Sequence, residues 1–430
     1  MGPTSVGMVF QVTPSNLLLV LAVVLVFGFF GKWMFEKTRI PDTLLLILLG
    51  FLIGRLFDVE GGAFMTVMPY VGVIALITIL FDGGMELRFK DLATGLPRAS
   101  GLAVSGFVLS VLAVMLYGHF ILDLGFMVAA MLGSIVGGTS AVVILPMLSG
   151  LALGKKAETM LGLESALTDV LCVVVTLGFA GMIATGEGSG LGLAQAITSG
   201  FTVALVAGLI AGIAWLWGLQ RIRETGAEYV WTVTALFALY GIVELFGGSG
   251  PIAVLVFGLM LGNAETVTKM FHLPKRRLSP TMKRMQDELV FFVRSFFFVF
   301  LGLVFDPQFL AVTPILSSPL LKAFGLFLVL AGARAGAVWL STLGDEKLTM
   351  HRQRFVLLMP RGLAAAVLAT IPAAAPYGIV GIEAFVGYAF AILLLSNLTA
   401  TFAAFVGGKK KKPRPKPVGA PEVDDRVTPT

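Results

Sequence analysis

Between Ala157 and Ala184 the sequence is apolar for long enough to cross a bilayer, yet Glu164 and Asp169 stand inside that run. A helix beginning at Ala157, rising about 1.5 Å per residue, would carry Asp169 roughly 18 Å inward, near the middle of a hydrocarbon core about 30 Å thick. An ionised side chain at that depth is costly, so it faces protein or water and marks a path for ions or protons. Within Glu164-Ser165-Ala166-Leu167-Thr168-Asp169, Ser165 shares a helical face with Asp169, and Glu164 shares one with Thr168. Carboxylates and hydroxyls thus gather on adjoining faces, hard oxygen donors suited to a bare cation.

The remainder of the chain reads as membrane as well. With 57% hydrophobic and 13% charged residues and a mean hydropathy of +0.94, a soluble globular domain is excluded and an all-α polytopic membrane protein is expected. We read about thirteen spans by length and hydropathy. They are Asn16–Phe35, Pro41–Phe57, Phe64–Leu80, Ala99–Leu122, Phe126–Leu148, Ala157–Ala184, Leu191–Leu219, Tyr229–Phe246, Pro251–Asn263, Leu289–Phe305, Pro319–Leu343, Phe355–Ala375 and Val380–Phe405. Residues 1–15 hold no Lys or Arg, so the first apolar segment is expected to stay as a span rather than act as a signal peptide. Residues 1–407 form the transporter domain in this reading, and 408–430 a disordered basic tail attracted to anionic lipid.

Basic residues crowd alternate loops: Lys32/Lys37/Arg39, Arg88/Lys90/Arg98, Lys155/Lys156, Arg221/Arg223, Lys269 to Arg284, Lys347/Arg352/Arg354 and the tail from Lys409. The positive-inside rule then puts the N-terminus outside and the C-terminus in the cytoplasm of a cell's plasma membrane, which requires an odd number of spans. Outside those groups stand only Arg55, Arg294, Lys322, Arg334 and Arg361. Arg55 and Lys322 lie near outer span ends and are expected to snorkel, as is Arg294 toward the cytoplasmic surface. Arg334 falls near mid-membrane and needs a counter-charge, for which Glu164 is the candidate. Asp82 and Glu86, at the inner end of the third span, read as solvated residues or as a funnel gathering cations.

Two spans look broken. The fifth carries Gly137-Gly138-Thr139-Ser140 and the twelfth Pro360-Arg361-Gly362. Such breaks weaken the helix ladder and are tolerated where they line a site. Interrupted helices at matching places in two halves of opposite orientation are the pattern of inverted repeats, here spans one to six and eight to thirteen with the seventh as linker. Arg361 then offsets partial charges at the break or takes part in transport directly. Cys172, the single cysteine, excludes an intramolecular disulfide, and His119, His272 and His351 make no metal-ligand cluster. No cofactor and no nucleic-acid partner is called for.

These residues resemble a known family. Glu164-Ser165-Ala166-Leu167-Thr168-Asp169 is similar to the Glu-Ser-x-x-Asn-Asp motif of NhaP-type sodium/proton antiporters, within the monovalent cation:proton antiporter superfamily. Gly138-Thr139-Ser140-Ala141-Val142 resembles the unwound fifth helix of that family, Phe81 to Leu87 the acidic end of its third, and Pro360-Arg361-Gly362-Leu363 its twelfth. The resemblance implies an alternating-access homodimer, with a core bundle (spans 4–6 and 11–13) moving against a scaffold (spans 1–3 and 7–10). It implies a cation held by Asp169, Glu164, Ser165 and the backbone of Thr139, with Arg334 paired to Glu164. Two positions depart from the family: Thr168 replaces its Asn, keeping a hydroxyl but no amide, and Ser140 replaces its Asp, removing a charge near the crossing.

The function expected is electroneutral exchange of a monovalent cation, Na⁺ ahead of K⁺ or Li⁺, for protons competing at Asp169. Sodium-coupled symport of an organic anion is the transport alternative, distinguished by uptake that requires an organic solute. An intramembrane hydrolase is disfavoured by the lack of a His-Glu-x-x-His motif or a paired catalytic set, and no Gly-x-x-x-x-Gly-Lys phosphate loop is present.

Overall fold

The computed structural model describes residues 14–38, 41–56, 61–148, 151, 153–186, 190–222, 227–272, 279–305, 309, 318–373 and 377–407. The basic tail lies outside them. Among the described residues every regular element is helical. The first four are α1 (Pro14–Thr38), α2 (Asp42–Leu56), α3 (Gly61–Glu86) and α4 (Phe89–Phe120). The broken fifth span follows as α5 (Phe126–Val136) and α6 (Ala141–Leu148), then α7 (Lys155–Thr185), α8 (Gly190–Ile222) and α9 (Glu228–Leu245). Next come α10 (Gly250–Gly262), α11 (Ala264–Met270), α12 (Pro280–Val304) and α13 (Pro319–Thr342). The chain closes with α14 (Glu346–Thr349), α15 (Arg352–Leu357), α16 (Leu363–Leu368), a 3₁₀ turn at Ile371–Ala373 and α17 (Ala384–Gly407).

Local chemistry sets several of these ends. Ser-Pro opens both α12 and α13: Ser279 accepts from the Met282 amide and Ser318 from the Leu321 amide, while proline fills the position whose N–H has no helical partner. Gly186 ends α7 in the left-handed region, at φ +71, which glycine adopts without steric cost. Six helices are long and apolar enough to cross a membrane singly, and α10 with α11 passes as a pair bent by 83°. The expected ninth span is therefore α10, and the chain turns sharply at Asn263. That corner is tied to the α3–α4 turn, because the Asn263 amide donates to Leu87 O at 2.7 Å and its Oδ1 accepts from Phe89 N at 2.9 Å. The fourth helix begins at Phe89, before the expected Ala99; hydropathy marks where a helix enters hydrocarbon, not where the backbone first coils.

Two helix pairs meet backbone to backbone. Along α3 and α10, a Cβ at Gly84 would overlap Leu255 O and one at Gly258 would overlap Phe81 O. Along α2 and α12, Gly50 faces Val299 O and Gly302 faces Ile47 O in the same way. Gly258→Val or Gly302→Val should therefore destabilise the protein by about 1–3 kcal/mol or more, since neither facing carbonyl can retreat like a side chain. Thermal melts in detergent measure this, and unchanged midpoints would mean the seams open easily. A second body of helices forms around α4, which packs on α5, α7 and α13, while α17 lies against α13, α15 and α16. Phe305, just past α12, stacks on Phe390 of α17 with ring centroids 3.8 Å apart.

One expectation is corrected. Arg294 does not snorkel to the surface; its Nη2 donates to Asp42 Oδ2 at 2.5 Å. Asp42 is the first residue of α2, the helix against which α12 packs most closely, so an acid is presented before the guanidinium has to reach water. Cys172 is buried and free, consistent with packing.

Candidate ion-binding site

The two broken spans cross. Ser140 N donates to Pro360 O at 2.8 Å, and Arg361 Nη1 donates to Gly138 O, a carbonyl that the end of α5 leaves without a helical partner. Ser140 therefore serves the crossing itself, with its side chain against the Cα face of Gly362. Because 137–140 is not helical, its backbone groups turn sideways toward α7.

There the structure brings Thr139, Glu164, Ser165, Thr168 and Arg334 into one buried network. Thr139 Oγ1 donates to Glu164 Oε1 at 2.9 Å and lies 2.9 Å from Ser165 Oγ. The Thr139 amide donates to Thr168 Oγ1 at 3.1 Å. Arg334 reaches in from α13 and grips Glu164 with both terminal nitrogens, Nη1 to Oε1 at 2.9 Å and Nη2 to Oε2 at 3.2 Å. Its remaining donors go to Phe355 O at 3.1 Å and Leu358 O at 3.3 Å, carbonyls at the end of α15 and the second break. Glu164 and Arg334 are only 1% and 3% exposed, so the pair is screened by protein rather than water. A bidentate contact of this kind neutralises the carboxylate and fixes its plane.

Asp169, one turn further along α7, is placed differently. It is half-buried rather than sealed, and none of the site's hydrogen bonds to Arg334 or Thr139 reaches it. It lines a small cleft shared with Ala141, Ala166, Asp82 and Glu86. Asp82 and Glu86 thus stand on the same cleft as Asp169. Of the two α7 carboxylates read from the sequence as cation ligands, Asp169 lines the cleft, while Glu164 is committed to Arg334. Among the described residues no cluster of three or more His, Cys, Asp or Glu side chains is poised to hold a metal ion.

Two side chains at the crossing were not singled out in the sequence. Ser396 Oγ accepts from Arg361 N, and Asn397 Nδ2 donates to Arg361 O, each at 3.1 Å. Their only signal is a hydroxyl and an amide side by side after Leu393-Leu394-Leu395 in an apolar span.

The profile of the family described as "Sodium/hydrogen exchanger, transmembrane" matches residues 18–406. The chain belongs to this exchanger family. The membership implied by the motifs is thereby borne out. The "K(+)/H(+) antiporter NhaP2" of Shewanella sp. (strain ANA-3) is 27% identical to this chain over 406 residues, covering 90% of the chain. The chain spans 66% of that relative's length. The "Na(+)/H(+) antiporter ApNhaP" of Aphanothece halophytica is 28% identical over 269 residues, covering 61% of the chain and 50% of the relative. The solved structure of the sodium proton antiporter MjNhaP1 from Methanocaldococcus jannaschii at pH 8 has a TM-score of 0.71 at 24% identity, covering 91% of this chain and 98% of that one. The chain shares that fold, and it is a multi-pass membrane protein.

Proposed function

We propose that this protein is a secondary-active antiporter of a monovalent cation, Na⁺ first, against protons. The observation that carries the reading is the division of labour on α7: Arg334 neutralises Glu164, and of these two carboxylates Asp169 is the one on the cleft. Asp169 then alternates between a bound proton and a bound cation, with Ser165, Thr139, Thr168 and a Glu164 oxygen within the cation's surroundings. An empty, ionised site resists passage through the closed intermediate, because a bare charge is penalised away from water. Exchange follows without any nucleotide. K⁺ in place of Na⁺ is the second reading, and the name of the Shewanella relative favours it.

In this reading the N-terminus is outside, the C-terminus cytoplasmic, and the cleft lined by Asp82 and Glu86 opens inward at the plasma membrane. Spans 4–6 and 11–13 form the moving core, spans 1–3 and 7–10 the scaffold of a homodimer. The glycine seams support the inverted repeat. If the second and third spans correspond to the ninth and tenth, the repeat operation exchanges the α2–α12 seam with the α3–α10 seam. It also maps the break at 137–140 onto the break at 358–362.

The test is proton flux in proteoliposomes, comparing Na⁺, K⁺, Li⁺ and choline across the neutral to alkaline range. Proton movement driven by an alkali cation but not by choline is expected; none with any cation would end the proposal. Because one carboxylate changes state per cycle, exchange should also be indifferent to an imposed membrane potential. Clear voltage dependence would demand a second titrating group, with Glu164 the first suspect.

A further inference from the structure

The two breaks are held by the same device. In the first half, Thr168 Oγ1 on α7 accepts from the Thr139 amide at 3.1 Å, and the next residue is Asp169. In the second half, Ser396 Oγ on α17 accepts from the Arg361 amide at 3.1 Å, and the next residue is Asn397. If α17 corresponds to α7, Ser396-Asn397 is the counterpart of Thr168-Asp169, with an amide in place of the carboxylate. That amide donates from Nδ2 to Arg361 O, so adjacent residues of α17 grip both backbone polar groups of Arg361.

Arg361 is the residue whose guanidinium holds Gly138 O, next to Thr139. Pro360 O, just before it, takes the Ser140 amide. A continuous set of bonds therefore runs from α17 through 360–361 to 138–140, and through Thr139 to Glu164 and Ser165. Asn397 is fully buried, yet its Oδ1 has no partner among the described residues. An apolar residue would avoid that unpaired oxygen, so the donor half of the amide is the part the site needs. Aspartate there would lose the donor and set an acceptor against Arg361 O.

We infer that Ser396 and Asn397 are positioning residues for the cation site, fixing the second break so that Arg361 sets Thr139 against Glu164 and Ser165. The inference rests on the antiport reading and extends it to a helix with no residue on the cleft. Its signature is a change in cation affinity rather than in turnover.

The experiment compares Ser396→Ala, Ser396→Thr, Asn397→Asp and Thr401→Val in proteoliposomes, measuring KM for the cation, maximal rate and thermal melting. Ser396→Ala and Asn397→Asp should raise KM about threefold to tenfold, as expected for one lost hydrogen bond, with maximal rate within about twofold of wild type. Ser396→Thr keeps the hydroxyl and should keep the wild-type KM. Thr401→Val removes a buried α17 hydroxyl that bonds Asn397 O within its own helix, and should leave KM unchanged. Unchanged KM in both Ser396→Ala and Asn397→Asp overturns the inference, and so does an equal rise in Thr401→Val, which would mean general loosening of α17. Should Asn397→Asp fail to fold, the Ser396→Ala and Ser396→Thr pair decides. Wild-type protein that moves no protons with any cation removes the antiport reading itself, before any variant is compared.

Discussion

Asp169→Asn should bring cation-driven proton flux down to the level of protein-free liposomes while leaving the fold intact. The substitution preserves size and shape in a side chain that lines the cleft and is half-buried. What it removes is the ability to be charged when cation-bound and neutral when protonated, which is the whole of the proposed exchange. The melting midpoint in detergent should stay close to wild type, separating loss of chemistry from loss of structure. Substantial Na⁺- or K⁺-dependent flux in a folded Asp169→Asn protein would remove the central residue of the mechanism.

Arg334→Met should be the most destabilising single change at the site. It leaves Glu164 buried without a counter-charge, which typically costs about 3–5 kcal/mol. It also strips the donors from Phe355 O and Leu358 O. Glu164→Gln alone leaves the guanidinium in place with only an amide to face. The double variant Glu164→Gln/Arg334→Met should recover part of the stability lost by Arg334→Met, because no buried charge is then unpaired. Thermal melts of the two single variants and the double one form the cycle. Strictly additive losses would show that the bidentate contact carries no coupling.

The sequence was informative where physics leaves a large signal. A carboxylate inside an apolar run is expensive enough to stand out, and so is Arg334, whose depth demanded an acid that the structure supplies in Glu164. Gly137-Gly138 and Pro360 announce weakened helix ladders, and both breaks are present. Partners that are polar but uncharged leave no comparable trace. Ser396 and Asn397 look like ordinary membrane hydroxyl and amide groups until the second break is seen against them. The Arg294–Asp42 pair was missed because Asp42, beside Pro41 at a helix start, reads as a local capping acid. Its true partner is 252 residues away, beyond the reach of any periodicity. The corner at Asn263 was likewise hidden, since hydropathy fades there without saying which way the chain turns.

The glycine seams have a mechanical consequence. Packed surfaces slide when side chains can change rotamer and pass one another. Where Gly84 and Gly258 press on opposing carbonyls, and Gly50 and Gly302 do the same, there are no rotamers to change. In the proposed cycle each seam would act as a weld, so that α2 with α12 and α3 with α10 would travel as single girders. The contact of α3 with α16 is of another kind: a Cβ at Gly72 would meet Thr370 and Val367 at 3.4 Å, an ordinary spacing filled by side chains that can yield. In the alternating-access cycle proposed above, displacement of the helices carrying Asp169 past this frame would be borne on surfaces like that one, with the glycine seams keeping the frame true.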